Sequence, residues 1–369
     1  MSRAASYYRR PLPAGQIAFS SDEGKRLFRE ALAAGSLEGF FSLSEQFHTQ
    51  AEPAYCGLGS LVMGLNALGI DPGRLWKGPW RWFDESLLDC CVPLDEVRAR
   101  GLTLGELGCL AACNGASATV VRAAESDVEA LRAALLRAAR STDRVVIAAY
   151  DRAALGQTGE GHFSPVGGVH VERDLALLLD VARFKYPPHW VGIEELFAAM
   201  LPIDAATQRS RGWIELVAAA RPRPIFLQLG LPVRGWAPIL ARLADEAGDH
   251  GASIEAWTAS LAQRLPELGE IARTLAHTFG SELEPEHQRI VDVLIEQVRA
   301  TRAYRAVVAA GWEDAPEFVR EAIAVLALVL APESAGAEDL GPPLGDEIAA
   351  LRGQVAALCD AGRGATMPG

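Results

Sequence analysis

Basic charge, cysteine and long apolar runs are all in short supply in this 369-residue chain, and each shortage excludes something. The 35 Lys and Arg are outnumbered by 47 Asp and Glu, a net charge of −12. That sign is wrong for neutralising a phosphate backbone, so nucleic-acid binding is not expected. Six cysteines are too few for a disulfide scaffold, and five of them (Cys56, Cys90, Cys91, Cys109, Cys113) fall in the first third. They read as reduced thiols. The longest apolar stretch, Ala322–Ala331, is about half a bilayer span, and the N-terminal residues lack the apolar run of a signal peptide. A cytoplasmic protein without a membrane partner is the expectation.

What is present is a globular composition, half hydrophobic and 22% charged. Arg221-Pro-Arg-Pro224 interrupts any regular element, so the reading divides the chain into domains at 1–220 and 221–369. The second part contains no lysine.

The first part mixes helix and strand signals. Capping boxes are expected at Ser20 with Glu23, Thr103 with Glu106 and Ser126 with Glu129. Strands are expected at Ser117–Arg122, Arg144–Tyr150, His162–His170, Leu175–Ala182 and Gly212–Val217. The polar turn Glu172-Arg-Asp174 predicts an antiparallel hairpin, and the layout is α+β. The second part reads as helices over Ser253–Leu265, Glu267–Phe279, Pro285–Ala310 and Pro316–Leu330. The tail after Pro332 is expected to fray.

Cys56 precedes the apolar-periodic run Leu58, Leu61, Val62, Leu65, Leu68, which puts it at a helix N-terminus. Unsatisfied N–H groups there favour a thiolate nucleophile, although a lone cysteine also serves as a small buried hydrophobe. His162 begins one strand of the hairpin and Asp180 ends the other, so the two meet at one end of it. A cysteine on a helix tip facing histidine and carboxylate on a sheet is the papain-like arrangement for acyl transfer. Gln50, six residues upstream of Cys56, is a candidate oxyanion donor beside the Cys56 N–H.

Several strings extend this pattern: Tyr8-Arg-Arg-Pro-Leu-Pro13, Thr49-Gln-Ala-Glu-Pro-Ala-Tyr-Cys-Gly57, Ile70-Asp-Pro-Gly-Arg74 and Trp76-Lys-Gly-Pro-Trp-Arg-Trp-Phe-Asp-Glu85. Leu88-Asp-Cys-Cys91, Gly161-His-Phe-Ser-Pro165, Glu172-Arg-Asp174 and Leu179-Asp-Val-Ala-Arg-Phe-Lys-Tyr-Pro-Pro-His-Trp190 complete the set. Through them the chain resembles the phytochelatin synthases over about residues 1–220.

The resemblance implies a cytosolic papain-like transpeptidase. Cys56 would take γ-glutamylcysteine from glutathione, release glycine, and pass the acyl group to a second glutathione or a growing phytochelatin. Cys56, His162 and Asp180 match the family's nucleophile, base and orienting acid, and Gln50 its oxyanion-hole glutamine. No cofactor is implied for the chemistry; heavy-metal ions such as Cd²⁺ and Zn²⁺ would activate as metal–glutathione thiolates. Glutathione, phytochelatin oligomers and metal ions are the expected partners, and a homodimer is allowed. The alternative is a glycine-releasing hydrolase of glutathione or its S-conjugates using the same acyl-enzyme.

Anionic substrates call for cations, and Arg183, Lys185 and Arg152 are the candidates, each equally readable as a surface cation. Glu52 and Tyr55 could bind the donor's amino group or wall the pocket. Cys109 and Cys113, one helical turn apart, and the pair Cys90 and Cys91 are candidate soft-metal ligands, with burial as the competing reading. Trp76, Trp80 and Trp82 read as core or pocket wall, and Pro187-Pro-His-Trp190 as a packed turn. The cysteine-rich C-terminal region usual in plant and fungal members is missing, so metal response by that region is not expected.

Overall fold

The computed structural model describes residues 9–72, 76–219, 243, 246–247, 253–264, 285–332 and 336–362. The chain divides into two compact units, one formed by Met1–Asp89 with Leu94–Pro224, the other by Cys90–Pro93 with Ile225–Gly369.

The first unit is mixed helix and antiparallel sheet, with α2 (Glu38–Glu45) and α4 (Leu94–Arg100) among its helices. Its strands are β1 (Ile17–Ala18), β2 (Ala116–Arg122), β3 (Arg144–Asp151), β4 (Gly161–His170), β5 (Leu175–Leu178), β6 (His189–Gly192), β7 (Ile203–Asp204), β8 (Arg209–Ser210) and β9 (Gly212–Ala218). Seven make one sheet in the order β1-β6-β5-β4-β3-β9-β2, while β7 pairs with β8. Every neighbouring pair is antiparallel.

The central strand explains itself. Val145–Tyr150 is buried throughout, because helices cover both faces and the usual apolar–polar alternation has no solvent side to serve. On one face, α6 (Val128–Ala139) and α7 (Ile193–Met200) supply Leu131, Leu135, Leu196 and Met200 against Val146, Ala148 and Tyr150. On the other lies α3 (Cys56–Ala67), buried from Cys56 through Leu65, as expected of a helix apolar all round. Leu58, Leu61 and Leu65 are each 0% exposed, worth roughly 2 kcal/mol apiece.

The expected hairpin forms between β4 and β5, with Asp174 in the left-handed region at the turn (φ 52). Its second strand stops at Leu178, four residues short of expectation, because Asp180 turns aside to collect hydrogen bonds. The segment read as a packed turn instead starts strand β6, in which His189 and Trp190 pair with Leu178 and Leu177. Two caps move by one residue. Ser21, not Ser20, accepts the Gly24 N–H ahead of α1 (Asp22–Ala33), and Asp127, not Ser126, caps α6. The capping box of Thr103 with Glu106 is present and opens α5 (Leu104–Cys113). The tryptophans depart further: Trp80 is 71% and Trp82 42% exposed, while Trp76 stacks under the Lys77 ammonium at 4.5 Å. They are not core.

In the second unit the described residues form α8 (Ile254–Arg264), α9 (Pro285–Ala300), α10 (Arg302–Val307), α11 (Glu317–Leu330) and α12 (Leu344–Gly362). The span read as one helix breaks at Thr301, whose hydroxyl caps α10. On α9 the buried stripe is Val291, Leu294 and Val298, rotated off Ile290 and Val293, which are 39% and 45% exposed. Within the span expected to fray, the described residues include α12, whose Leu344, Ile348, Leu351 and Val355 are buried. The expected helix at Glu267–Phe279 lies outside the described residues.

Candidate active site

Cys56 is the first residue of α3, with Tyr55 as its N-cap. It is buried and is a free thiol. Burial pushes its pKa up; the backbone N–H groups of Phe163 and Gly57 and the charge of Arg152 pull it down without overcoming that. The helix-terminus effect expected from the sequence is therefore outweighed by desolvation of the buried thiol.

The partners come from the hairpin. His162 Nε2 lies 3.0 Å from Asp180 Oδ1, with the side chains 5% and 0% exposed. That leaves Nδ1 as the ring nitrogen open to a thiol. The His162 ring sits edge-on to Tyr150, centroids 5.7 Å apart, and the Tyr150 hydroxyl is 3.2 Å from Ser164 Oγ. Asp180 also receives Arg152 Nη2, at 3.0 and 2.7 Å from its two oxygens, and the Ala182 N–H at 2.8 Å. Burial alone would raise the Asp180 pKa, but His162 and then Arg152 outweigh it and hold the carboxyl well below its usual range. Burial is also the largest influence on His162, whose pKa falls to about 4 with Arg152 adding to the drop, while Asp180 opposes it. Either charge alone is costly here. A proton passed from Cys56 to His162 creates opposite charges together, beside an ionised Asp180.

Cys56 and His162 line one cleft of about 480 Å³. Arg152 and Lys185 also line it, but Arg152 is committed to Asp180 and to Gln157 Oε1. Burial and the charge of Arg152 lower the Lys185 pKa. Arg183 is not among the lining residues and stacks instead on the Phe47 ring at 4.4 Å. Neither Gln50, Glu52 nor Tyr55 lines the cleft. Gln50 Nε2 donates to the carbonyls of Glu52 and Pro53, each at 2.8 Å. The Glu52 carboxylate is 3.6 Å from Arg98 Nε, and the Tyr55 hydroxyl donates to the Leu94 carbonyl at 3.2 Å.

Cys90, Cys91, Cys109 and Cys113 are buried and disulfide-bonded, not the reduced thiols expected from composition. Pairing depends on spatial proximity that a cysteine count does not report. Metal ligation by these sulfurs would first require reduction.

Two lining cations escaped the sequence reading. Arg100 is held by Glu96 (2.9 Å) and by both oxygens of Glu106, and Arg211 donates to the Pro202 carbonyl at 3.0 Å. The one sequence hint was the four-residue spacing of Glu96 and Arg100.

Fold and site define an α+β protein whose cleft brings a buried cysteine together with a histidine held by an aspartate. The profile of the phytochelatin synthase family matches residues 7–213. Glutathione gamma-glutamylcysteinyltransferase 3 of Lotus japonicus is 49% identical over 243 residues, 66% of this chain and 51% of the relative. Glutathione gamma-glutamylcysteinyltransferase 1 of Triticum aestivum is 55% identical over 224 residues, 60% and 45%. Glutathione gamma-glutamylcysteinyltransferase 2 of Arabidopsis thaliana is 42% identical over 318 residues, 82% and 70%. The chain belongs to the phytochelatin synthase family. It spans about half the length of the Lotus and Triticum relatives.

Proposed function

We propose that this chain transfers the γ-glutamylcysteinyl group of glutathione to an amine acceptor, making phytochelatins, through a thioester on Cys56. The observation that carries the reading is the shared cleft of Cys56 and His162, with Asp180 on the far ring nitrogen, in a member of this family. The helix-borne cysteine and sheet-borne histidine make a papain-like catalytic domain the matching fold reading, followed by a helical C-terminal domain.

His162 takes the Cys56 proton, and the sulfur attacks the carbonyl of the cysteinyl–glycine bond. The C–N bond breaks as His162 returns the proton to the leaving amine, so glycine departs and the thioester remains. The α-amine of a second glutathione or of a phytochelatin then attacks that thioester, gives its proton to His162 and restores the thiol. Asp180 keeps the imidazole oriented and stabilises its charged form. Gln50 would serve an oxyanion by releasing one N–H from Glu52 or Pro53, since catalytic hydrogen bonds often tighten only around substrate. Heavy-metal ions such as Cd²⁺ enter as glutathione thiolate complexes, as part of the substrate.

Incubation with glutathione and Cd²⁺ followed by mass spectrometry tests the proposal. Oligomers with one γ-glutamylcysteine unit added per glycine released are expected. Glycine and γ-glutamylcysteine alone would make the chain a hydrolase and overturn it.

A further inference from the structure

Glu85 closes the Trp76–Glu85 string and has no part in the mechanism above. Its side chain is 5% exposed, and His48 is hydrogen-bonded to it, with Nε2 3.0 Å from Oε1. The Ala51 N–H donates to both oxygens, at 3.3 and 3.0 Å. Burying a carboxylate merely to fill space is costly, since an apolar side chain would fill it better. What a carboxylate adds is a two-oxygen acceptor for one backbone N–H and a charge-assisted bond to His48.

Glu85 is itself held from the cysteine-bearing helix. Asn66 of α3 donates to the Phe83 carbonyl at 3.0 Å and accepts the Phe83 N–H at 3.2 Å. Nearer Cys56 on the same helix, a Cβ at Gly59 would lie 3.0 Å from Glu85 Oε1 and 3.4 Å from both Gln50 Cβ and His48 Cδ2. Glycine there lets all three side chains settle on the helix. Meanwhile the Gln50 N–H donates to the Val181 carbonyl, next to Asp180, at 3.1 Å. Residues 48–51 are thus pinned by Val181 at one point and by Glu85 at another.

We propose that Glu85 is a positioning residue for acyl transfer: by fixing residues 48–51 against the first turns of α3, it sets Gln50 relative to Cys56. This rests on the transfer reading above. Acyl transfer develops an oxyanion beside Cys56, whereas alkylation of Cys56 by iodoacetamide does not, and that difference separates positioning of Gln50 from general support of the fold.

The full-length chain and its Glu85→Asp and Glu85→Gln variants would be compared in glycine release from glutathione with Cd²⁺ and in iodoacetamide alkylation. Glu85→Asp retracts the carboxylate by one methylene; kcat should fall roughly 10- to 100-fold, with KM and the alkylation rate within about two-fold of wild type. Glu85→Gln keeps an oxygen for the Ala51 N–H and should recover most of the loss. Should Glu85→Asp not fold, Gly59→Ala presses on the same carboxylate and should give the same split. Wild-type turnover in Glu85→Asp, alkylation falling in step with kcat, or no recovery in Glu85→Gln would overturn the inference while the transfer reading stands. Normal alkylation of the wild type without glycine release would remove that reading and this inference together.

Discussion

Arg152 Nη2 lies 3.0 Å from Asp180 Oδ1 and 2.7 Å from Oδ2, with the two side chains 3% and 0% exposed. Behind the pair, Gln157 accepts from Arg152, donates to Gln16 Oε1 at 2.8 Å and contacts His189 Nε2 at 3.1 Å. The guanidinium does more than fix the carboxylate. Its charge lowers the pKa of both His162 and Cys56, so it offsets part of what Asp180 does to the imidazole.

Removing that charge should therefore raise both pKa values. Arg152→Gln is expected to move both limbs of the pH profile of kcat/KM to higher pH, while Arg152→Lys moves them less. Initial rates of glycine release across the pH range check this, and unmoved limbs would show that the Arg152 charge does not tune the pair.

Glycine release should vanish in Cys56→Ala, since Cys56 supplies the one thiol among the described residues that line the cleft. Asp180→Asn should reduce kcat by roughly 10²- to 10⁴-fold while leaving measurable turnover, because an orienting group acts through the histidine. Intact-mass detection of the γ-glutamylcysteinyl thioester follows both; an adduct in Cys56→Ala would refute the assignment.

The cleft wall separates two neighbouring cations. Lys185→Met should raise KM for glutathione by roughly 10-fold or more, the loss expected when a charged hydrogen bond to a carboxylate disappears. Arg183→Met should change KM little, because that guanidinium sits over Phe47. Steady-state kinetics on the two variants compares them directly.

Acid should destabilise the fold earlier than carboxylate titration would suggest. His162 has a folded pKa of about 4 against 6.5 for the free side chain, and burial lowers that of His189 as well. Between those values the unfolded chain binds more protons, so stability falls as pH drops from about 6.5 toward 4. Tm measured across that window should decline, and His162→Gln should flatten the decline.

How far the sequence reaches is clearest at the hairpin. A four-residue apolar strand, a polar turn and a histidine opening the preceding strand are local features, so the meeting of His162 and Asp180 follows from alternation and a turn alone. Cys56 at the head of α3 is equally local, because the apolar period after it marks the helix. Thr103 with Glu106 forms its box for the same reason, both members lying within one turn.

The misses share a different cause. Trp80 and Trp82 read as core or pocket wall from residue type alone, yet what lies over a side chain is decided by distant segments. Arg152 lines the cleft, but nothing near it in sequence names Asp180, 28 residues away, as its partner. Composition, the Thr103–Glu106 box, strand alternation and the family strings were thus settled by the residues themselves. Which cation faces the cleft, which carboxylate is buried and which cysteines are bonded were settled only when the chain closed, because each depends on distances between residues far apart in sequence.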